Sequence, residues 1–165
     1  MLLRKTIVTV RSVPAVYRRH FADCRRERQF LAGTSFLTTF CAVRVMTHAI
    51  RANRGPFRNI TPGGRHIHHM TFGITGLLAI GHLWMLEIGV SEASRVGSRA
   101  TSMAYGGAAA LTLDEFALWL NLEDDYWTAQ GRESIDAVVV FGTLLMLGVF
   151  ARDFLADLRR IASNA

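Results

Sequence analysis

The segment AVVVFGTLLMLGVFA, residues 137–151, decides the fold class because it contains no charged side chain. It lies within a longer apolar segment, Ile135–Leu155, of the roughly 20 residues that a helix needs to cross about 30 Å of hydrocarbon. This length and composition predict a membrane-spanning helix.

Three further apolar segments of similar length precede it, separated by stretches rich in arginine, glycine and proline. The four predicted spans are Phe30–Ile50, Met70–Val90, Thr101–Leu122 and Ile135–Leu155. The first span contains Arg44, whose charge must reach the membrane surface or find an ionic partner. The sequence therefore predicts an all-α integral membrane bundle of about four transmembrane helices.

The composition agrees with this fold class. Half of the 165 residues are hydrophobic, yet the chain carries a net charge of +6 from 19 Lys and Arg against 13 Asp and Glu. The basic residues flank apolar segments, whereas a nucleic-acid-binding protein needs a basic face on a soluble fold. We therefore predict membrane lipids as partners and no nucleic acid. The predicted parts are a basic cytoplasmic tail (1–29), the transmembrane four-helix domain (30–155) and a short cytoplasmic C-terminal tail (156–165).

The distribution of positive charge predicts the orientation. With both termini in the cytoplasm, the inner segments hold 13 Lys and Arg and the outer loops hold five. Positive residues accumulate on the cytoplasmic side of membrane proteins, so this orientation is favoured. The loop at residues 51–69 does not fit well, because it carries four arginines on the predicted outer side.

Histidines and carboxylates meet at one depth of the predicted bundle. His66, His68 and His69 lie at the start of the second span, and Asp114 and Glu115 lie in the half of the third span that reaches the same side. This convergence depends only on the four predicted spans, so it is the same whichever side of the membrane the termini face. The further polar residues expected at this depth are His48, Asp125, Arg132 and Asp136.

These residue types suit a divalent metal such as zinc, iron or manganese. The predicted metal ligands are His66, His68, His69 and Asp114. Glu115 is the candidate catalytic residue, as a general base or as a support for the ligands. A charge in mid-bilayer costs about 2.5–3.5 kcal/mol, so the two acids need a metal or a cation such as Arg44 or Arg65.

Two interpretations of function remain open. One is a metal-dependent membrane enzyme acting on a lipid or lipid-linked substrate. The other is a non-enzymatic transporter or an accessory or scaffold subunit, in which a buried polar network holds the bundle together. The sequence has no nucleotide-binding loop, no His-Glu-x-x-His and no Gly-x-Ser-x-Gly. Glycines and alanines in the second and third spans are compatible with a homo-oligomer or a partner membrane protein.

Two strings carry a resemblance to known proteins. They are GGRHIHHMTFGI (63–74) and LTLDEFALWLNLEDDYWTAQGRESIDAV (111–138). Over about residues 30–155 the chain resembles an uncharacterised family of small bacterial four-helix integral membrane proteins. The resemblance implies a helical membrane protein and a bacterial inner membrane, and it transfers no activity to any residue.

Overall fold

A computed structural model describes residues 17–18, 21–58, 61–64, 67–121 and 134–146. Within these ranges the protein is helical and has no β-strand, which confirms the all-α prediction. The helices are α1 (Cys24–Arg51), α2 (His69–Met85), α3 (Arg95–Asp114), α4 (Phe116–Asn121) and α5 (Ser134–Met146), with short 3-10 turns at Pro62–Gly64 and Glu92–Ser94.

Local chemistry sets where α1 begins. The Asp23 carboxylate accepts hydrogen bonds from the backbone N–H groups of Arg25 and Arg26, and Glu27 adds an acid to the first turn. Both features stabilise a helix N-terminus. The helix therefore starts six residues before the predicted span at Phe30.

Two helices end in the same manner. After α1, Asn53 has φ 51° and the N–H of Arg54 bonds back to the carbonyl of Ala49. After α2, Glu87 has φ 59° and the N–H of Ile88 bonds back to the carbonyl of Leu83. Both ends are Schellman motifs, in which a left-handed residue satisfies the last carbonyls of a helix.

Helix α3 is central and packs parallel to α1. At one end the Cys24 thiol lies 3.2 Å from the Ser98 hydroxyl, and at the other end Arg44 contacts Asp114. Midway, a Cβ at Gly106 would collide with the Ala32 carbonyl of α1. The two backbones approach closely at this glycine, as small residues allow.

Helices α2 and α5 complete the packing. Helix α2 runs antiparallel to α3, and a Cβ at Gly73 would lie only 2.7 Å from the Thr112 nitrogen. Helix α5 brings Phe141 to 5.3 Å from the Phe36 ring, measured between centroids. Phe36 and Val138 form the apolar core together with Ala109 and Ala110.

The third predicted span is interrupted. Helix α3 ends at Asp114, Glu115 has non-helical φ/ψ angles, and α4 resumes at Phe116. The break directs the Glu115 side chain to α2, where Oε2 accepts the backbone N–H of Met70 at 2.9 Å. Residues 101–121 therefore do not form one continuous helix, and the break coincides with the contact of Glu115 to the first turn of α2.

Among the described residues, α1 is the one helix long and apolar enough to cross a membrane, judged by length and composition. Helix α2 has 17 residues, α3 carries arginines in its first turns, and α5 is described only as far as Met146. The part of the fourth predicted span after Met146 lies outside the described residues. The structure therefore confirms helical architecture and one helix of spanning length, and the four spans stay a prediction.

Candidate functional site

Asp114 lies at the centre of a polar cluster formed by Arg44, His68, His69, Asp114 and Glu115. Its side chain is fully buried. Oδ1 lies 2.6 Å from Nε of Arg44, an ionic contact without the alignment of a hydrogen bond, and Oδ2 lies 3.0 Å from Nε2 of His69. One carboxylate on α3 thus contacts cations or donors from α1 and α2.

Glu115 joins the cluster from the break between α3 and α4. Its Oε1 lies 2.9 Å from Nδ1 of His68, and its Oε2 accepts the N–H of Met70. Helix α2 begins at His69, whose preceding residue His68 is in extended conformation. The Glu115 carboxylate therefore receives an N–H from the first turn of a helix, where anions are stabilised.

His69 lies between the two carboxylates. Nε2 is 3.0 Å from Asp114 and Nδ1 is 3.5 Å from Glu115. A doubly protonated imidazole donates from both nitrogens, so this ring can bridge two acids. The His69 ring therefore links the Asp114 carboxylate to the Glu115 carboxylate.

In the described part of the chain, no group of three or more His, Cys, Asp or Glu side chains is arranged to hold a metal ion. The described cluster residues instead contact each other and Arg44 at ion-pair and hydrogen-bond distances. Three candidate ligands, His68, His69 and Asp114, lie in contact with Glu115 or with each other.

The other predicted site residues are placed differently. His48 lies exposed in the last turn of α1, one turn after Arg44. Asp136 is exposed in the first turn of α5 and lines an open apolar groove with Leu113 and Phe116. His66, Asp125 and Arg132 lie outside the described residues.

A second cluster at the opposite end of the bundle was not predicted. Glu27 on α1 is 1% exposed, and its Oε1 lies 2.8 Å from Nη2 of Arg99 on α3. Arg95 contacts the same carboxylate at 4.0 Å, and the Tyr17 hydroxyl donates to it at 2.9 Å. The sequence did contain a signal for this cluster. Glu27 is an acid among arginines just before the first predicted span, and Arg95 and Arg99 lie just before the third.

The Tyr17 hydroxyl has an altered acidity at this end. Burial is the main cause that raises the pKa of Tyr17, and its hydrogen bond to Glu27 raises it further. The Tyr17 ring also packs against Phe21 in a tilted arrangement, with 4.7 Å between the ring centroids. Tyr17 is therefore fastened to α1 through Glu27.

Comparisons with known proteins add no relative: no family model, no curated protein and no solved structure matches the chain.

Proposed function

We propose that this chain is a multi-pass membrane protein with an accessory or scaffold role, in which the polar cluster is a structural ion-pair network. Its helices α1, α2, α3 and the helix beginning at Ser134 would cross the bilayer. The observation that carries the proposal is the fully buried Asp114, whose carboxylate contacts Arg44 of α1 and His69 of α2.

The distribution of polar and apolar side chains supports membrane insertion. The buried side chains include Glu27, Ser98, Ser102, Asp114 and Glu115. In contrast, large apolar side chains point outward, and the most exposed of them are Met85 at 83%, Val96 at 80%, Leu78 at 71% and Val45 at 69%. Polar groups inside and apolar groups outside suit a bundle whose solvent is lipid.

The distance between the two clusters also supports insertion. Glu27 and Arg44 are 17 residues apart on α1, which corresponds to about 25 Å along a helix. Arg99 and Asp114 are 15 residues apart on the parallel helix α3, or about 22 Å. The Glu27 cluster and the Asp114 cluster are thus separated along the helices by somewhat less than the roughly 30 Å thickness of a bilayer core.

The network role follows from the cost of buried charge. Removing one partner of a buried ion pair leaves the other uncompensated and costs about 3–5 kcal/mol. The ion pairs join α1 to the end of α3, and the start of α2 to the end of α3 and the break after it, so the network favours one arrangement of α1, α2 and α3. An accessory subunit needs such a fixed arrangement, and it needs no open ligand position.

The test combines metal content with stability in a mild detergent without chelators. Asp114→Asn should destabilise the bundle strongly, and wild-type protein should carry no stoichiometric metal. Asp136→Asn is the matched control, because it removes an exposed carboxylate near the same end of the bundle. Equal stability of the two variants would contradict the structural role.

A metal-dependent enzyme acting on a lipid or lipid-linked substrate is the second candidate. It is favoured by two histidines and two carboxylates that three contacts of 2.9 to 3.5 Å connect, with His66 close by in sequence. The ligands would be His66, His68, His69 and Asp114, with Glu115 as general base. Near-stoichiometric zinc, iron or manganese that His69→Ala removes would favour this candidate over the network.

A further inference from the structure

Helix α2 has one face that no other described helix covers. Gly73 packs on α3, and Ile80, seven residues later on the same side, is also buried. The opposite side is exposed, and its central residues recur at intervals of four, three and four positions, which places them on one stripe of a helix. These residues, the outer stripe, are Thr71, Thr75, Leu78 and His82. The outer stripe is therefore open to the surroundings of the bundle.

The depth of His82 follows from the packing of α2 on α3. The Trp84 ring lies 5.1 Å from the ring of Tyr105, measured between centroids. Tyr105 lies between Arg99 and Asp114 on α3, and the levels of these two residues are separated by less than the thickness of a bilayer core. His82 comes two residues before Trp84 on the antiparallel helix, about 3 Å closer to the Asp114 end. With the proposed insertion, the imidazole of His82 therefore faces hydrocarbon.

The imidazole of His82 has no polar partner in the described part of the chain, where it makes neither a hydrogen bond nor an ion pair. Lipid tails offer no donor or acceptor, so a polar side chain that faces them is costly. Ionisable side chains within membrane helices almost always face the inside of a bundle or pair with one another. The position of His82 on the outer stripe thus indicates a second protein surface with a polar group at the same depth.

We infer that the outer stripe of α2 packs against the outer stripe of a second copy of this chain, in a parallel dimer in which the two His82 side chains meet. Two copies inserted with the same topology present identical residues at the same depth, and a two-fold axis normal to the membrane brings these residues together. A neutral imidazole has one donor and one acceptor nitrogen, so His82 of one protomer donates to the partner's His82. The inference rests on the proposed membrane insertion, and it gives the accessory or scaffold role a defined contact surface.

The neighbours of His82 leave room for two α2 helices to approach closely. Thr71, Thr75 and Ala79 are small and exposed, and they are spaced four residues apart. The Thr75 hydroxyl donates to the Thr71 carbonyl at 2.8 Å, so it needs no acceptor from outside the helix. A Cβ at Gly81 would meet no atom within 4 Å. Small side chains at this spacing allow close contact between helices in lipid, which brings the two imidazoles within hydrogen-bonding range.

Disulfide crosslinking in phosphatidylcholine liposomes tests the interface. A reactive thiol is placed on the outer stripe by Leu78→Cys in a Cys41→Ser background, since Cys24 is buried. Val45→Cys in the same background is the matched control, because Val45 on α1 is 69% exposed and Leu78 is 71% exposed. Mild oxidation should give a crosslinked dimer of the Leu78 variant and leave the Val45 variant uncrosslinked.

Substitutions of His82 test the polar contact separately from the helix surface. Energy transfer between donor-labelled and acceptor-labelled protein, measured as added lipid dilutes the protein in liposomes, gives the dissociation constant of the dimer. His82→Leu should raise this constant roughly threefold to tenfold, which is the effect of losing one hydrogen bond between membrane helices. His82→Asn should keep the constant near the wild-type value, because an amide also supplies a donor and an acceptor.

The outcomes distinguish the dimer from the proposed insertion. Protein that cannot be inserted into phosphatidylcholine liposomes would contradict membrane insertion itself. Inserted protein that stays monomeric at all dilutions, or that crosslinks equally at the two positions, would refute the dimer alone. Equal dissociation constants for His82→Leu and the wild type would refute the contact between the imidazoles.

Discussion

Arg44 and Asp114 show how a single pair can determine the packing of a helix. The Asp114 carboxylate is fully buried, while the Arg44 side chain is 19% exposed. Replacing Arg44 by Met should lower the free energy of unfolding by about 3–5 kcal/mol, because the acid loses its cation. Arg44→Met combined with Asp114→Leu should recover most of that loss, since neither member of the pair is then left without its partner. Chemical denaturation of the four proteins in one detergent measures this cycle, and additive losses would contradict the pairing.

Tyr17 provides a pH-dependent prediction at the other end. Its pKa is raised in the folded protein above the usual value of about 10. A raised folded-state pKa means that its contribution to stability is complete below pH 10 and falls as the pH rises through the folded value. Melting temperatures between neutral and alkaline pH should therefore fall less in Tyr17→Phe than in wild type. Parallel curves for the two proteins would mean that Tyr17 titrates as it does in the unfolded chain.

At the scale of elements, two neighbouring glycines of α3 have different surroundings. Gly106 lies against the backbone of α1, whereas Gly107 has room for a methyl group. A methyl group at Gly106 would meet the backbone of Ala32, whereas at Gly107 its nearest neighbour is the Thr39 hydroxyl at 3.4 Å. Gly106→Ala should cost about 1–3 kcal/mol by overpacking. Gly107→Ala should be neutral or stabilising, because alanine favours helix over glycine. Thermal unfolding of both variants gives the comparison, and equal effects would argue against the close approach of α1 and α3.

The end of α2 contains a strained residue. Glu87 has φ 59°, a left-handed conformation that costs a non-glycine residue about 1–2 kcal/mol. Glu87→Gly should raise stability by about 1 kcal/mol or less, because glycine also loses more entropy on folding. Asn53→Gly, at the equivalent position after α1, should change stability little since asparagine tolerates this conformation. A gain at Asn53 as large as that at Glu87 would contradict the strain argument.

The helix order could be predicted from the sequence, and the pairing of side chains only in part. Apolar segments separated by glycine, proline and charge mark α1, α2, α3 and α5, because each must bury or shield an apolar surface. The early start at Cys24 depends on the Asp23 cap, and the break at Glu115 depends on the Met70 N–H of another helix. Spacing along one segment contains no information about such a contact.

The sequence alone could not identify the partner of Asp114, for a similar reason. It left Arg44, Arg65 or a metal as candidates, and only the packing of α1 against α3 shows that Arg44 contacts Asp114. That packing is parallel, with its register fixed where Gly106 meets the Ala32 backbone. The Glu27 cluster was missed because its partners, Arg95 and Arg99, are more than 65 residues away in the chain.

For the whole molecule, the four-span topology is the prediction with the widest consequence. Single cysteines at Ile60 and Thr128, in a Cys41→Ser background, lie in the two loops that are predicted to face outward. A membrane-impermeant thiol reagent should label both from the outside of intact cells and neither from the cytoplasmic side alone. Labelling of both only from the cytoplasmic side would invert the orientation, and opposite labelling of the two would refute four spans.

The parallel contact between α1 and α3 also constrains biosynthesis. Asp114 follows Arg44 by 70 residues, so at about 5–20 residues per second the ribosome needs roughly 4–14 s to deliver the acid after its cation. If α1 crosses the bilayer as proposed, it carries throughout that interval a guanidinium that its own chain cannot yet neutralise. Headgroups, water or the insertion machinery would then have to accommodate Arg44 until α3 is made. The final arrangement of the first helix is therefore set late, by a residue in the last third of the chain.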